Sequence, residues 1–149
     1  ALKETIDESS KKVIVFVPFR HTIDMLVEKL RDDGVTSDVI RGDVSAANRT
    51  QIFDRFQSTP DPKVLVIQPQ SAAHGVTLTA ANTIVWWGPT SSLETYLQAN
   101  ARIHRAGQDQ KCTVIQLAGS AAEKRIYRML DERINIHTAM IDLYKEILD

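Results

Sequence analysis

The chain has 149 residues, of which 43% are hydrophobic and 25% charged, and its formal net charge is −1. This composition fits a single globular domain, residues 1–149, that buries a core without disulfide staples. The near-zero charge excludes a global basic field, so any nucleic-acid surface must be a local patch.

The cysteine and histidine content limits which disulfides and metal sites the chain could form. The single cysteine, Cys112, excludes an internal disulfide, and the four histidines lack metal-ligand spacing, so no metal site is predicted. No apolar run reaches the ~18 residues of a membrane span, and no signal peptide is evident. We therefore expect a soluble, cytoplasmic protein without a membrane partner. The start at an alanine followed by charged residues is typical of a piece of a longer chain.

The first third of the chain predicts two strand and helix pairs. Residues 1–12 are polar and form an N-terminal arm, to which the pattern assigns neither helix nor irregular structure. Residues 13–17 are a β-branched and aromatic run, typical of a strand buried on both faces. A helix follows over residues 20–33, with Gly34 as its stop. A short strand at residues 39–40 precedes a helix whose apolar side includes Phe56.

The remaining elements continue this alternation. Residues 64–67 and 83–87 are two further buried strands, and a helix follows them. Its predicted start is the capping box formed by Ser91 and Glu94. A fifth strand spans residues 113–117. A second capping box at Ser120 opens the C-terminal helical segment, residues 120–149, in which we expect a break near Asn135 because the span exceeds the common helix length.

Strands that alternate with helices predict an α/β fold, with a parallel sheet covered by helices on both faces. Ligands of such sheets lie beyond the carboxyl ends of the strands, so the residues that follow each strand are the informative ones. Neither GxxxxGK[ST] nor GxGxxG occurs in the chain. The chain therefore lacks the familiar cradle for a triphosphate and could only reach one held by another domain.

The segment QANARIHRAGQ, residues 98–108, has the highest density of side chains that could bind a ligand. Positions spaced four and three apart share one face of a helix. This spacing predicts Gln98, Arg102 and Arg105 on one line, with their amide and guanidinium groups free to meet a ligand. Without context, an arginine on such a helix is more often a solvated or ion-paired surface residue.

Four segments in this order resemble the second RecA-like lobe of superfamily 2 helicases. They are VIVFVPFRHTIDMLVEKL, GDVSAANRTQIFDRF, VLVIQPQSAAHGVTLTAAN and QANARIHRAGQ, and they correspond to motifs IV, IVa, V and VI of that family. An arginine, one residue and then His-Arg-x-Gly-Gln is the form typical of Snf2-type DNA translocases. The segments AHGVTL and QANAR are most similar to those of small Snf2-like proteins of bacteriophages and bacteria.

The resemblance implies half of an ATPase site. ATP and Mg²⁺ would be held mainly by an N-terminal RecA-like lobe of the same polypeptide. Arg105 would be the arginine finger at the γ-phosphate, and Arg102 its companion, contacting phosphate or an acidic residue of the partner lobe. Gln98 would orient that network, and the backbone at Gly75 would lie against the nucleotide's sugar. The isolated chain is then expected to be inactive.

The resemblance also implies contacts with the backbone of double-stranded DNA. The residues concerned are Arg20, His21, Thr22, Arg49 and Gln70. Each could equally be a solvated loop or helix residue. Family members usually place Ser-Thr-Lys where this chain has Gln68, Pro69 and Gln70, and proline removes a backbone donor. This departure weakens the expected motif V contact with phosphate.

The sequence thus predicts the C-terminal ATPase lobe of a Snf2-type, DNA-dependent translocase. Two alternatives stay open. One is the lobe of another superfamily 2 helicase that unwinds RNA or forked DNA. The other is a non-catalytic module that anchors a complex on nucleic acid; Arg102 and Arg105 argue against it, and the altered Gln68 to Gln70 loop argues weakly for it.

Overall fold

The computed structural model describes residues 2–72, 76–104 and 107–148. Within these ranges five parallel strands form one sheet in the order β2-β3-β1-β4-β5. The strands are β1 (Lys12–Phe16), β2 (Ser37–Ile40), β3 (Val64–Ile67), β4 (Ala81–Trp87) and β5 (Thr113–Leu117). The helices are α1 (Leu2–Glu8), α2 (Arg20–Asp32), α3 (Ala46–Ser58), α4 (Leu93–Asn100) and α5 (Ala121–Leu148), with a 3₁₀ turn at Pro69–Ala72.

Helices cover both faces of the sheet, as predicted, because side chains alternate along each buried strand. One face carries Ile14, Phe16 and Trp86, and it packs against apolar residues of α3, α4 and α5. The other face carries Val13 and Val15 and packs against α1 and α2. The predicted α/β fold with a parallel sheet is confirmed.

The N-terminal arm contains a helix that the sequence pattern did not assign. In α1, Leu2 and Ile6 are 6% and 3% exposed and join the core that lies against α2. Residues four apart share one helix face, so two apolar side chains suffice to dock a helix of 7 residues. Its stability comes from this burial, because an isolated helix of that length would be marginal in water.

The start and the end of α4 differ from the prediction. Its N-cap is Ser92, whose hydroxyl accepts a hydrogen bond from the backbone N–H of Thr95 at 3.2 Å, so the assignment to Ser91 was wrong by one residue. The helix ends at Asn100. The chain then turns, with the N–H of Arg102 bonded to the carbonyl of Ala99 at 3.2 Å. The predicted helical line of three side chains therefore stops before Arg102.

Helix α5 is continuous over 28 residues, so the predicted break near Asn135 is wrong. Neither glycine nor proline occurs between Ala121 and Leu148, and sharp kinks usually need one of these or an inserted group. The predicted cap at Ser120 is confirmed, since its hydroxyl accepts from the N–H of Glu123 at 3.1 Å. Within the described residues no helix is long and apolar enough to cross a membrane.

Candidate nucleotide and nucleic-acid site

Arg102 is buried, at 5% exposure, although the sequence predicted a free guanidinium. Its Nε donates to the carbonyl of Gln98 at 2.7 Å, and an outer nitrogen lies 3.4 Å from the carbonyl of Val76. The carbonyl of Arg102 in turn accepts from the N–H of Leu78 at 2.9 Å. Arg102 thus ties the motif V segment, which follows β3, to the turn that follows α4.

The other predicted nucleotide contacts are only partly described. Gln98 lies in the last turns of α4, where its amide donates to the carboxylate of Glu94 at 3.2 Å. Arg105 and Gly75 lie outside the described residues. Of the residues beside Arg105, His104 is exposed and Gly107 has a φ of 97°, a left-handed conformation that glycine adopts without strain.

Two residues that hold the motif VI segment, Lys11 and Gln108, were not predicted from the sequence. The side-chain amide of Gln108 donates to the carbonyls of Ala81 and Ile103 at 2.7 and 3.1 Å, and it accepts from Nζ of Lys11 at 2.9 Å. Gln108 belongs to the motif VI segment, which was the available signal. Lys11 is 97 residues distant in sequence, so no local pattern marks it.

A charged network follows β1 and β2 at the carboxyl edge of the sheet. A guanidinium nitrogen of Arg20 lies 2.6 Å from a carboxylate oxygen of Asp43, and their side chains are 61% and 52% exposed. Arg41 contacts Asp24 at 3.0 Å and Asp43 at 3.8 Å. The first predicted DNA contact is therefore already paired with a carboxylate that a phosphate would have to displace or share.

The remaining predicted nucleic-acid residues are dispersed over the same edge. His21 is exposed at the start of α2, and Thr22 helps to line a cavity of about 390 Å³. Gln70 is exposed in the 3₁₀ turn after β3. The neighbouring Gln68 accepts a hydrogen bond from the N–H of Gly42 at 3.0 Å, which joins the motif V and motif IVa segments.

Arg49 on α3 is partly exposed, but its Nε is buried and no acceptor for it is present among the described atoms. A buried donor without an acceptor costs about 1–3 kcal/mol. An anionic oxygen that reached this guanidinium would offset part of that cost.

The cavity at the carboxyl edge lies between the start of α2, the ends of β4 and β5, and the start of α5. Phe19, Thr22 and Trp87 line it together with Glu123. The Glu123 carboxylate accepts from the N–H of Gly119 at 2.6 Å, so it completes the cap of α5. This carboxylate therefore has a structural partner within the fold.

Two tyrosines near the carboxyl edge of the sheet have a raised pKa because they are buried. Desolvation raises the pKa of Tyr96 and of Tyr127. The hydroxyl of Tyr127 reaches the carbonyls of Leu117 and Trp86 at 2.8 and 3.2 Å, and thus ties α5 to the ends of two strands. Both phenols stay neutral and serve packing at ordinary pH.

A family model and several known proteins match the chain. The model of the helicase conserved C-terminal domain matches residues 1–107. An uncharacterized ATP-dependent helicase of Mycoplasma genitalium is 30% identical over 131 residues, which cover 85% of this chain and 12% of that protein. The DNA repair protein rad8 of Schizosaccharomyces pombe is 27% identical over 140 residues, which cover 93% of this chain and 12% of that protein.

A solved structure shares the fold. The C-terminal part of the Fun30 ATPase domain superposes with a TM-score of 0.80 at 21% identity, covering 87% of this chain and 43% of that one. The chain itself spans 12% of the length of the two relatives. With the family model matched over residues 1–107, the chain belongs to the helicase conserved C-terminal domain family, as a RecA-like C-terminal lobe of the superfamily 2, Snf2 type.

Proposed function

We propose that the chain is one half of a nucleic-acid-dependent ATPase, the C-terminal lobe of a Snf2-type translocase on double-stranded DNA. The observation that carries the proposal is the position of Arg102, buried between the segment that follows β3 and the turn that precedes Arg105. Hydrogen bonds of Arg102 thereby join the described part of motif V, at Val76 and Leu78, to the described part of motif VI. The relatives whose names include ATP-dependent helicase support the same activity.

ATP and Mg²⁺ would be held mainly by an N-terminal RecA-like lobe of the same polypeptide. Within the described residues, no group of His, Cys, Asp and Glu could hold a metal ion. The contribution of this lobe would be the guanidinium of Arg105, placed at the γ-phosphate as negative charge develops there. An arginine finger increases the rate by about 10³ to 10⁵, or about 4–7 kcal/mol of barrier.

Arg102 and Gln98 would support that finger. Arg102 donates to the carbonyl of Gln98, and the amide of Gln98 donates to Glu94, so the three residues form a chain of hydrogen bonds along the end of α4. Because the whole Arg102 residue is only 5% exposed, it offers little surface to a phosphate. Within this proposal Arg102 therefore acts first by fixing the turn, and contact with the nucleotide is secondary.

Double-stranded DNA would run along the carboxyl edge of the sheet. Arg20, Thr22 and Gln70 all follow strands there, and the start of α2 offers backbone N–H groups and a dipole that suit a phosphate. Arg49 adds a guanidinium whose Nε has no acceptor within the part of the chain that the structure describes. These contacts read the backbone and not the sequence, which is what movement along DNA requires.

The test uses the full-length protein that contains this chain. Arg105→Ala is expected to lower the kcat of DNA-stimulated ATP hydrolysis about 10³-fold or more, while the Kd for duplex DNA changes less than about threefold. Arg128→Ala, which removes an exposed arginine of α5, is the matched control and should change neither value.

Three outcomes would contradict the proposal. Unchanged ATP hydrolysis in Arg105→Ala would exclude the arginine finger, and equal losses of hydrolysis and DNA binding would favour a DNA-contacting role. Robust hydrolysis by the isolated chain would show that it is not half of a site. A strand-displacement assay separates translocation on duplex DNA from the unwinding of RNA or forked DNA.

A further inference from the structure

The side-chain amide of Gln108 has all of its hydrogen-bonding sites occupied. Its Nε2 donates to the carbonyls of Ala81 and Ile103 at 2.7 and 3.1 Å. Its Oε1 accepts from Nζ of Lys11 at 2.9 Å and from the N–H of Gln110 at 3.3 Å. A primary amide offers two donor hydrogens and two acceptor lone pairs, so Gln108 is fixed at both ends.

The ammonium group of Lys11 is equally committed. It donates to Oε1 of Gln108 at 2.9 Å, to the carbonyl of Thr79 at 3.0 Å and to a carboxylate oxygen of Asp109 at 2.5 Å. An ammonium has three donor hydrogens, and its side chain is 22% exposed. The hydrogen bond and the charge of Lys11 also lower the pKa of Asp109.

These contacts connect three distant parts of the chain. Lys11 lies directly before β1, Thr79 lies two residues before β4, and Gln108 follows the turn after α4. The network is anchored on the sheet, because Ala81 is the first residue of β4 and is fully buried. Gln108 also holds the carbonyl of Ile103, a residue with no exposed surface, on the near side of the turn.

Arg105 lies between the two points that this network holds, Ile103 and Gln108. We propose that Lys11 and Gln108 are positioning residues. Together they form a clamp that holds Ile103 and Gln108, the described residues on either side of Arg105, against the sheet and so fixes where Arg105 is presented. This inference rests on the proposed role of Arg105 as an arginine finger. A displacement of about 1 Å in such a group can lower a rate about 10²-fold, so a clamp on the turn has a direct kinetic consequence.

The first arm of the test uses this chain. Lys11→Met removes the ammonium and keeps the apolar stem, and Lys111→Met removes the same charge from an exposed residue three positions after Gln108. In Lys11→Met we expect the amide of Gln110 to exchange its hydrogen at least about tenfold faster, with the β4 amides unchanged. Unchanged exchange at Gln110, or equal acceleration in Lys111→Met, would overturn the clamp.

The second arm uses the full-length protein that contains this chain. Lys11→Met should lower the kcat of ATP hydrolysis about 10- to 100-fold while the KM for ATP stays within about twofold, and Lys11→Arg should recover most of the kcat. Gln108→Leu should reproduce the loss of kcat without a change of charge. Equal kcat in Lys11→Met and Lys111→Met would refute the positioning role.

The two arms separate this inference from the proposed function. If Arg105→Ala leaves ATP hydrolysis intact, the arginine finger is wrong, while the exchange of the Gln110 amide still tests the clamp. If Arg105→Ala abolishes hydrolysis and Lys11→Met does not lower the kcat, the finger stands and the positioning role is wrong.

Discussion

Arg102→Met tests whether the buried guanidinium stabilises the fold. The substitution keeps an apolar stem but removes the donor that lies 2.7 Å from the carbonyl of Gln98. A hydrogen bond to a charged group contributes about 1.5–3 kcal/mol, and the contact of 3.4 Å with Val76 adds less because it is long. We therefore expect the free energy of unfolding to fall by about 2–3 kcal/mol.

Arg20→Met is the matched control, because it removes the same type of side chain from the surface. The side chain of Arg20 is 61% exposed, and its contact with Asp43 is open to solvent. Such pairs contribute about 0–1 kcal/mol, since water screens them and two long side chains lose freedom. The difference between the two variants thus isolates the effect of burial.

Urea unfolding of the chain, followed by the fluorescence of Trp86 and Trp87, measures both free energies. With a slope of about 2 kcal/mol per molar urea, Arg102→Met should lower the midpoint by about 1–1.5 M and Arg20→Met by less than about 0.5 M. Equal midpoints for the two variants would refute the structural role of Arg102. A changed slope would instead indicate a change in the compactness of the native or denatured state, or a loss of two-state unfolding.

Three further changes have defined outcomes. Ser92→Ala should lower the free energy of unfolding by about 1 kcal/mol and Ser91→Ala by much less, because Ser92 is the observed cap; a thermal melt that ranks them in the opposite order would contradict this. Burial raises the pKa of Tyr127, so the unfolded state loses the phenolic proton first and stability falls as the pH rises above about 10. Tyr127→Phe should be less stable at pH 8 by about 1 kcal/mol, and its stability should fall less at alkaline pH. An equal alkaline fall in both proteins would show that the titration of Tyr127 is not its cause. Asp43→Asn frees Arg20 from its carboxylate and should tighten binding to duplex DNA severalfold in a titration at fixed salt, whereas weaker binding would place Asp43 itself at the DNA.

The sheet could be predicted from sequence because its signal is local. Residues 64–67 form a continuous apolar run, and the structure places β3 at Val64–Ile67 with every residue buried. The helix in the N-terminal arm was harder to predict from the sequence, because α1 has only Leu2 and Ile6 on its apolar face. A pattern of two residues gives no period, and the helix is decided by the tertiary contact that buries them.

The site was less predictable than the fold, because its geometry depends on pairs that are distant in sequence. The sequence located Arg20 after a strand, but not the carboxylate of Asp43 that holds it. It located Arg102 in motif VI, but it extended α4 by the helical period through residues where the observed chain turns. Helical periodicity does not show where a helix ends because a side chain such as that of Arg102 bonds to a backbone carbonyl instead of to water.

The described contacts favour a lobe that moves as a unit. Arg102 joins the turn after α4 to the segment after β3, and Gln108 joins the same turn to the start of β4. The described ends of this part of motif VI, Ile103 and Gln108, are thus held against the sheet by hydrogen bonds. If Arg105 is the proposed arginine finger, we expect its insertion and withdrawal to come from closure between lobes. If Arg20, at the start of α2, contacts DNA as proposed, the same closure would move that contact together with Arg105.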